Sequence, residues 1–148
     1  MKIILGSDHA GYAVKNKIKA MLQNQGYTIV DAGPARLNPH DDYPQYAAKV
    51  SRIIARSRGV KGILVCGTGT GMVIAANKIK GIRAVAAYDL ATAKQSRTDN
   101  DANVLALRGK GFSWTTMRGI IQTWLRTPFS KKPRYMRRIR ELTALERT

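Results

Sequence analysis

Acidic residues are scarce: nine Asp and Glu stand against 26 Lys and Arg in 148 residues, a formal charge of +17. A surface of that sign raises the local concentration of anions and speeds their capture, so phosphorylated metabolites and nucleic acid are the partner classes to weigh. Cysteine and histidine are nearly absent, with one and two copies. No disulfide can close within the chain, and no zinc-ligand spacing can be assembled. Aromatics are few (7%) and seldom interleaved with the basic residues, as a single-strand nucleic-acid binder would need. No specific nucleic-acid partner is therefore expected, and the densest basic run, Lys131 to Arg140, reads as a solvated surface with some anion contacts. No stretch approaches the ~20 apolar residues that span a bilayer. Met1 to Leu5 run directly into a strand pattern rather than into a secretion signal. The expectation is a cytoplasmic protein with no membrane partner.

What the chain has is alternation. Short runs rich in β-branched residues are expected as strands over residues 2–6, 27–32, 62–66, 82–87 and 103–107. Segments of helical period separate them, over 13–24, 43–56, 69–78, 90–97 and 113–125. A loop with two prolines covers 33–42, and a stiff, turn-rich stretch from Thr127 leads to a basic terminal helix over 134–146. Strands alternating with helices imply right-handed crossovers. The expected fold is α/β: a single doubly wound, Rossmann-like domain spanning 1–148, with a five-stranded parallel sheet covered on both faces. The terminal helix is expected to pack on its own subunit or to cross to a partner.

Ligands of open parallel sheets bind beyond the carboxyl ends of the strands. Three polar clusters are candidates for that edge: Ser7-Asp8-His9 after the first strand, Cys66-Gly67-Thr68-Gly69-Thr70-Gly71 after the third, and Ser96 to Asp101 before the fifth. Alternate glycines let successive amides point at one anion, helped by the following helix N-terminus. The loop lacks a Walker lysine, because Met72 and Val73 stand in its place. Cys66 sits beside these amides, where a thiolate is stabilised. A thiolate can take a proton from carbon next to a carbonyl, and the amides can hold the enediolate oxygen that develops. The competing reading of Cys66 is an inert core residue. Arg134 and Arg138 are four apart, so on a helix they share a face and can converge on one phosphate.

Together these stretches resemble the family of type B ribose-5-phosphate isomerases and galactose-6-phosphate isomerase subunits. Asp42-Tyr43-Pro44, Gly81-Ile82-Arg83-Ala84 and Asn100-Asp101-Ala102-Asn103 extend the match nearly end to end. The resemblance implies aldose–ketose isomerisation of a sugar phosphate within pentose phosphate metabolism, needing no metal or other cofactor. It implies Cys66 as base and Thr68 as proton-handling partner. Gly67, Gly69, Thr70 and Gly71 would form the enediolate loop, and Asp8, His9, Tyr43, Asn100 and Lys110 would contact substrate. Arg134 and Arg138 would grip the phosphate. It also implies a homodimer or tetramer with sites shared between subunits.

The chain departs from that pattern at three places. Asp99 stands where the family has a histidine credited with ring opening, Tyr135 replaces another histidine, and Lys110 replaces an arginine and loses its bidentate fork. A carboxylic acid of ordinary pKa is ionised at neutral pH. Asp99 can therefore take a proton from the anomeric hydroxyl but not give one to the ring oxygen, unless the pocket raises its pKa. Two alternatives stay open: an isomerase of a four- or six-carbon sugar phosphate, and a non-catalytic phosphate- or nucleic-acid-binding module on the same fold.

Overall fold

Residues alternate inward and outward along each strand, and here both directions are apolar, because helices cover both faces of the sheet. The computed structural model describes residues 1–147. Its strands are β1 (Lys2–Ser7), β2 (Thr28–Asp31), β3 (Lys61–Cys66), β4 (Ala84–Ala86) and β5 (Val104–Arg108). All neighbours are parallel, in the order β2-β1-β3-β5-β4. Helices α1 (Tyr12–Asn24), α2 (Tyr43–Ala55), α3 (Thr70–Asn77), α4 (Leu90–Thr98), α5 (Trp114–Arg126) and α6 (Pro133–Leu145) alternate with them. Among the described residues no helix is long and apolar enough to cross a membrane.

One face of the sheet, with Ile3, Leu5, Ile63, Val65, Leu105 and Leu107, packs with Ile18, Ala93, Ile120 and Trp124 of α1, α4 and α5. The other face presents Ile4, Leu64, Cys66, Val104 and Ala106 to Ala47, Val50, Ile54, Met72 and Ala76 of α2 and α3. Each large buried side chain contributes about 1.5–3 kcal/mol, so these two layers fix the strand ends that carry the chemistry.

Two expectations need correction. The fourth strand is shorter than 82–87 and starts only at Ala84, because a side chain takes the amide just before it. The Arg83 amide donates to Asn103 Oδ1 at 2.8 Å, and Ala84 exchanges two bonds with the Asn77 amide group. A three-residue 3-10 turn, His9–Gly11, also intervenes between β1 and α1.

Helix α6 buries none of its residues in the protomer. It is tied at either end: Ser130 donates to the Thr98 carbonyl at 2.7 Å, and Glu146 accepts from the Gly81 amide at 2.8 Å. Met136 and Leu142 are 42% and 46% exposed.

Candidate active site

The chain leaves β1 for β2 on one side and returns to β3 on the other, which opens a crevice at the carboxyl ends of β1 and β3. Asp8 follows β1 and caps the 3-10 turn, accepting the Gly11 amide at 3.0 Å. This leaves His9 at the mouth of the crevice, with its side chain 39% exposed. The loop over residues 33–42 folds back onto it. Asp41, whose side chain is only 1% exposed, accepts both the His9 amide at 3.0 Å and His9 Nδ1 at 2.7 Å on a single oxygen, Oδ1. The hydrogen bond to Asp41 raises the His9 pKa above the ordinary histidine value; desolvation opposes it and the Asp8 charge adds to it. Burial disfavours the Asp41 carboxylate, but its two bonds from His9 outweigh burial and lower its pKa. Tyr46 shifts up, through burial and the charges of Asp41 and Asp8.

Beside this pair ends β3. Cys66 is 5% exposed, and its Sγ accepts the Gly69 amide at 3.1 Å. That bond requires Gly69 at φ 85°, a left-handed conformation in which a side chain would be strained. Gly71 is needed for a different reason: a Cβ there would fall 2.6 Å from the Tyr43 ring. Thr68 and Thr70 share a hydroxyl–hydroxyl bond of 2.9 Å at the loop's exposed rim. Across β5, Gly109 donates to the Cys66 carbonyl at 2.6 Å, which brings exposed Lys110 to the same edge. The structure thus gathers Asp8, His9, Tyr43, Cys66, Gly67, Thr68, Gly69, Thr70, Gly71 and Lys110.

Asp99, Asn100, Arg134 and Arg138 are not in this group. The expectation of three clusters at one edge fails for the third, because a segment that enters a parallel strand lies at the strand's amino end. Asn103 O accepts the Gly62 amide at 2.9 Å. Cys66 stands four residues further along β3, about 13 Å away at 3.3 Å per residue. Asp99 and Asn100 precede Asn103 and so lie on the opposite edge from the thiol. Ser130, bonded to Thr98, leads into α6 from that same edge, so the two arginines belong to it as well. There Arg134 donates to the Tyr135 hydroxyl at 3.2 Å, and both Arg134 and Arg138 stack on its ring. A hollow of about 680 Å³ opens between β4 and the last turns of α6, bordered by Ile82, Val85, Asn100, Leu142 and Glu146.

The family model for Ribose/Galactose Isomerase matches residues 3–142. The chain belongs to that family. It is 38% identical to the ribose-5-phosphate isomerase B of Escherichia coli, over 98% of this chain and 96% of the relative. It is 35% identical to that of Mycobacterium tuberculosis, over 100% and 91%. Among solved structures, the type B ribose 5-phosphate isomerase of Trypanosoma brucei superposes with a TM-score of 0.92 at 41% identity, covering 98% of each chain. The Mycoplasma genitalium enzyme with bound ribulose-5-phosphate superposes at 0.93 and 34%, covering 99% of this chain and 96% of that one.

Three residues of this isomerase-family site escaped the sequence reading. Asp41 meets His9, and its charge reaches Tyr46 of α2, only through the fold-back of the 33–42 loop; two adjacent acids, Asp41 and Asp42, in so basic a chain were the available signal. Arg108 pairs in register with Cys66, donates from Nε to the Lys110 carbonyl at 2.7 Å and stacks on Phe112. An arginine closing the apolar run Val104 to Leu107 marked a strand end.

Proposed function

We propose that this chain interconverts ribose 5-phosphate and ribulose 5-phosphate through an enediolate, at a site completed by two copies of the chain. The observation that carries the chemistry is the Cys66 Sγ–Gly69 amide contact at the end of β3, beside the Asp8–His9 turn. Cys66 takes the proton from C2 of the open aldose. The amides from Gly67 to Gly71 receive the negative charge that develops on O1, in a setting fixed before reaction. Cys66 returns the proton to C1, while Thr68 passes the hydroxyl proton between O2 and O1. Asp8 and Tyr43 hold substrate hydroxyls.

The second half comes from the partner subunit. The separation of the two edges and the uncovered apolar side of α6 support this. A two-fold arrangement that sets one copy's amino edge against the other's carboxyl edge brings Asn100, Arg134 and Arg138 of the partner subunit to the sugar and its phosphate. Lys110 adds charge from the first copy. Asp99 of the partner subunit serves as acceptor for the anomeric hydroxyl, consistent with Thr98 Oγ1 donating to Asp99 Oδ1 at 2.8 Å.

The test is a panel of phosphorylated aldoses of four to six carbons, assayed without added metal. Ribose 5-phosphate is expected to turn over fastest. Strong preference for erythrose 4-phosphate, which has no furanose to open, would instead favour the four-carbon reading. No turnover of any sugar would overturn the activity.

A further inference from the structure

The amino edge carries a second group of cations, which the reaction above does not use. A hollow of about 260 Å³ lies between the end of α2 and the starts of β3 and β5, and Lys61, Arg83, Arg97 and Asp101 line it. None of the residues assigned above to substrate borders it, and it shares only Arg83 with the larger hollow between β4 and α6. We propose that this hollow binds a phosphoryl dianion, either inorganic phosphate or the phosphate of a small metabolite, between Lys61, Arg83 and Arg97. The site stands apart from the isomerase reading and does not rest on it.

Charge is the first support. Three cations face one carboxylate, which leaves a surplus of two positive charges, matched to a phosphate monoester near neutral pH. Asp101 adopts a left-handed φ of 45° and serves a different arginine with each oxygen. Its Oδ1 accepts Arg97 Nη1 at 2.7 Å, and its Oδ2 accepts Arg83 Nη2 at 3.1 Å. Both guanidiniums are thereby fixed before a ligand arrives.

Unused donors are the second support. The end of α5 draws cations to this edge: Lys61 donates to the Leu125 carbonyl at 3.3 Å, and Arg97 Nε to the Thr127 carbonyl at 3.2 Å. Those bonds leave much of the cluster unpaired. Arg83 donates from Nε and Nη2, and Arg97 from Nε and Nη1. Arg83 Nη1, Arg97 Nη2 and the remaining N–H bonds of Lys61 have no acceptor among the described residues. Lys61 Nζ and Arg97 Cζ lie 5.2 and 5.8 Å from the centre of the Trp124 ring, whose own Nε1 is buried without a partner. The neighbourhood is rich in donors and short of acceptors, and a phosphoryl group offers several acceptor oxygens in the geometry an arginine fork matches. The state of Lys61 agrees: burial, with the Arg97 charge adding and Asp101 opposing, lowers its pKa to about 8. A dianion in the hollow would reverse that shift.

Trp124 can report on the site. Trp114→Phe leaves it as the sole tryptophan, and adding Arg134→Ala and Arg138→Ala removes the proposed grip on the sugar phosphate. This variant is titrated with inorganic phosphate, and separately with glycerol 3-phosphate, at constant ionic strength. Trp124 emission should change along a saturating curve. Adding Lys61→Met should raise the half-saturation concentration about tenfold, the loss of one charge-assisted bond. Tighter binding of inorganic phosphate would mark free phosphate as the occupant, and tighter binding of glycerol 3-phosphate would mark a metabolite. In the wild type, NMR titration of lysine Nζ should show the Lys61 pKa rising above about 8 when phosphate is added, a readout that needs no substitution. The proposal is overturned if chloride reproduces the emission change, if the change does not saturate, or if Lys61→Met leaves the affinity intact. An unmoved Lys61 pKa in saturating phosphate would overturn it as well. None of these results bears on turnover of ribose 5-phosphate, so the isomerase reading stands or falls separately.

Discussion

The two edges of the sheet are built differently. At the carboxyl edge, short hydrogen bonds hold the groups in place: buried Asp41 holds His9, the Gly69 amide holds Cys66, and Gly109 ties β5 to the Cys66 carbonyl. At the amino edge the basic groups are anchored but the surface is unfinished. Arg83 and Arg97 both bind Asp101, Lys61 is crowded by Arg97, and α6 runs past with Met136 and Leu142 well exposed. A reactive centre gains from preorganisation, whereas a phosphate grip can wait for a second copy. On the proposed reading, this asymmetry lets one small domain supply the reacting group from one edge and the phosphate grip from the other, for a site that two copies complete.

The sharpest way to break this comparison is at the thiol. Cys66→Ala should lower turnover by on the order of 10³. It should cost only about 1 kcal/mol of stability, a shift of a few degrees in thermal midpoint by calorimetry. Near-normal turnover would mean that the base has been misassigned. On the other edge, Arg138→Ala should raise KM roughly tenfold, the worth of one charge-assisted bond, with kcat little changed. A kcat effect of the same size would place this arginine in the chemical step. The smallest expected effect belongs to Lys61, whose pKa falls to about 8 through burial, with Arg97 adding and Asp101 opposing. Between pH 8 and 10.5 the unfolded chain keeps a proton here that the native state has lost, so stability rises with pH across that window. Lys61→Met should remove that rise in pH-dependent thermal melts; an unchanged slope would assign it to other groups.

Much of the carboxyl edge was legible in the sequence. Alternating apolar runs gave β1, β3 and β5, and the Cys66–Gly71 stretch announced a strand end followed by a helix. The glycines proved necessary for two separate reasons, a left-handed turn at Gly69 and room for Tyr43 at Gly71. The His9–Asp41 bond was not legible, because it joins residues 32 apart through a loop with no periodic pattern. Asp99 and Asn100 were read at the wrong edge: polarity and proximity to a strand look the same from sequence whether the chain is entering or leaving. Strand direction alone separates the cases. The amphipathic pattern of α6 showed that a helix would form there, but a stripe that leaves Met136 and Leu142 exposed does not say what covers it.

Subunit complementation tests the shared site most directly. Cys66→Ala and the double variant Arg134→Ala, Arg138→Ala are each assayed alone at limiting ribose 5-phosphate, then after subunit exchange between them. In a two-fold dimer the heterodimer carries one intact and one doubly defective site, so an equal mixture should recover about a quarter of wild-type activity. Exchange confirmed by mass spectrometry without recovered activity would place both sets of residues in a single protomer's site and contradict the account.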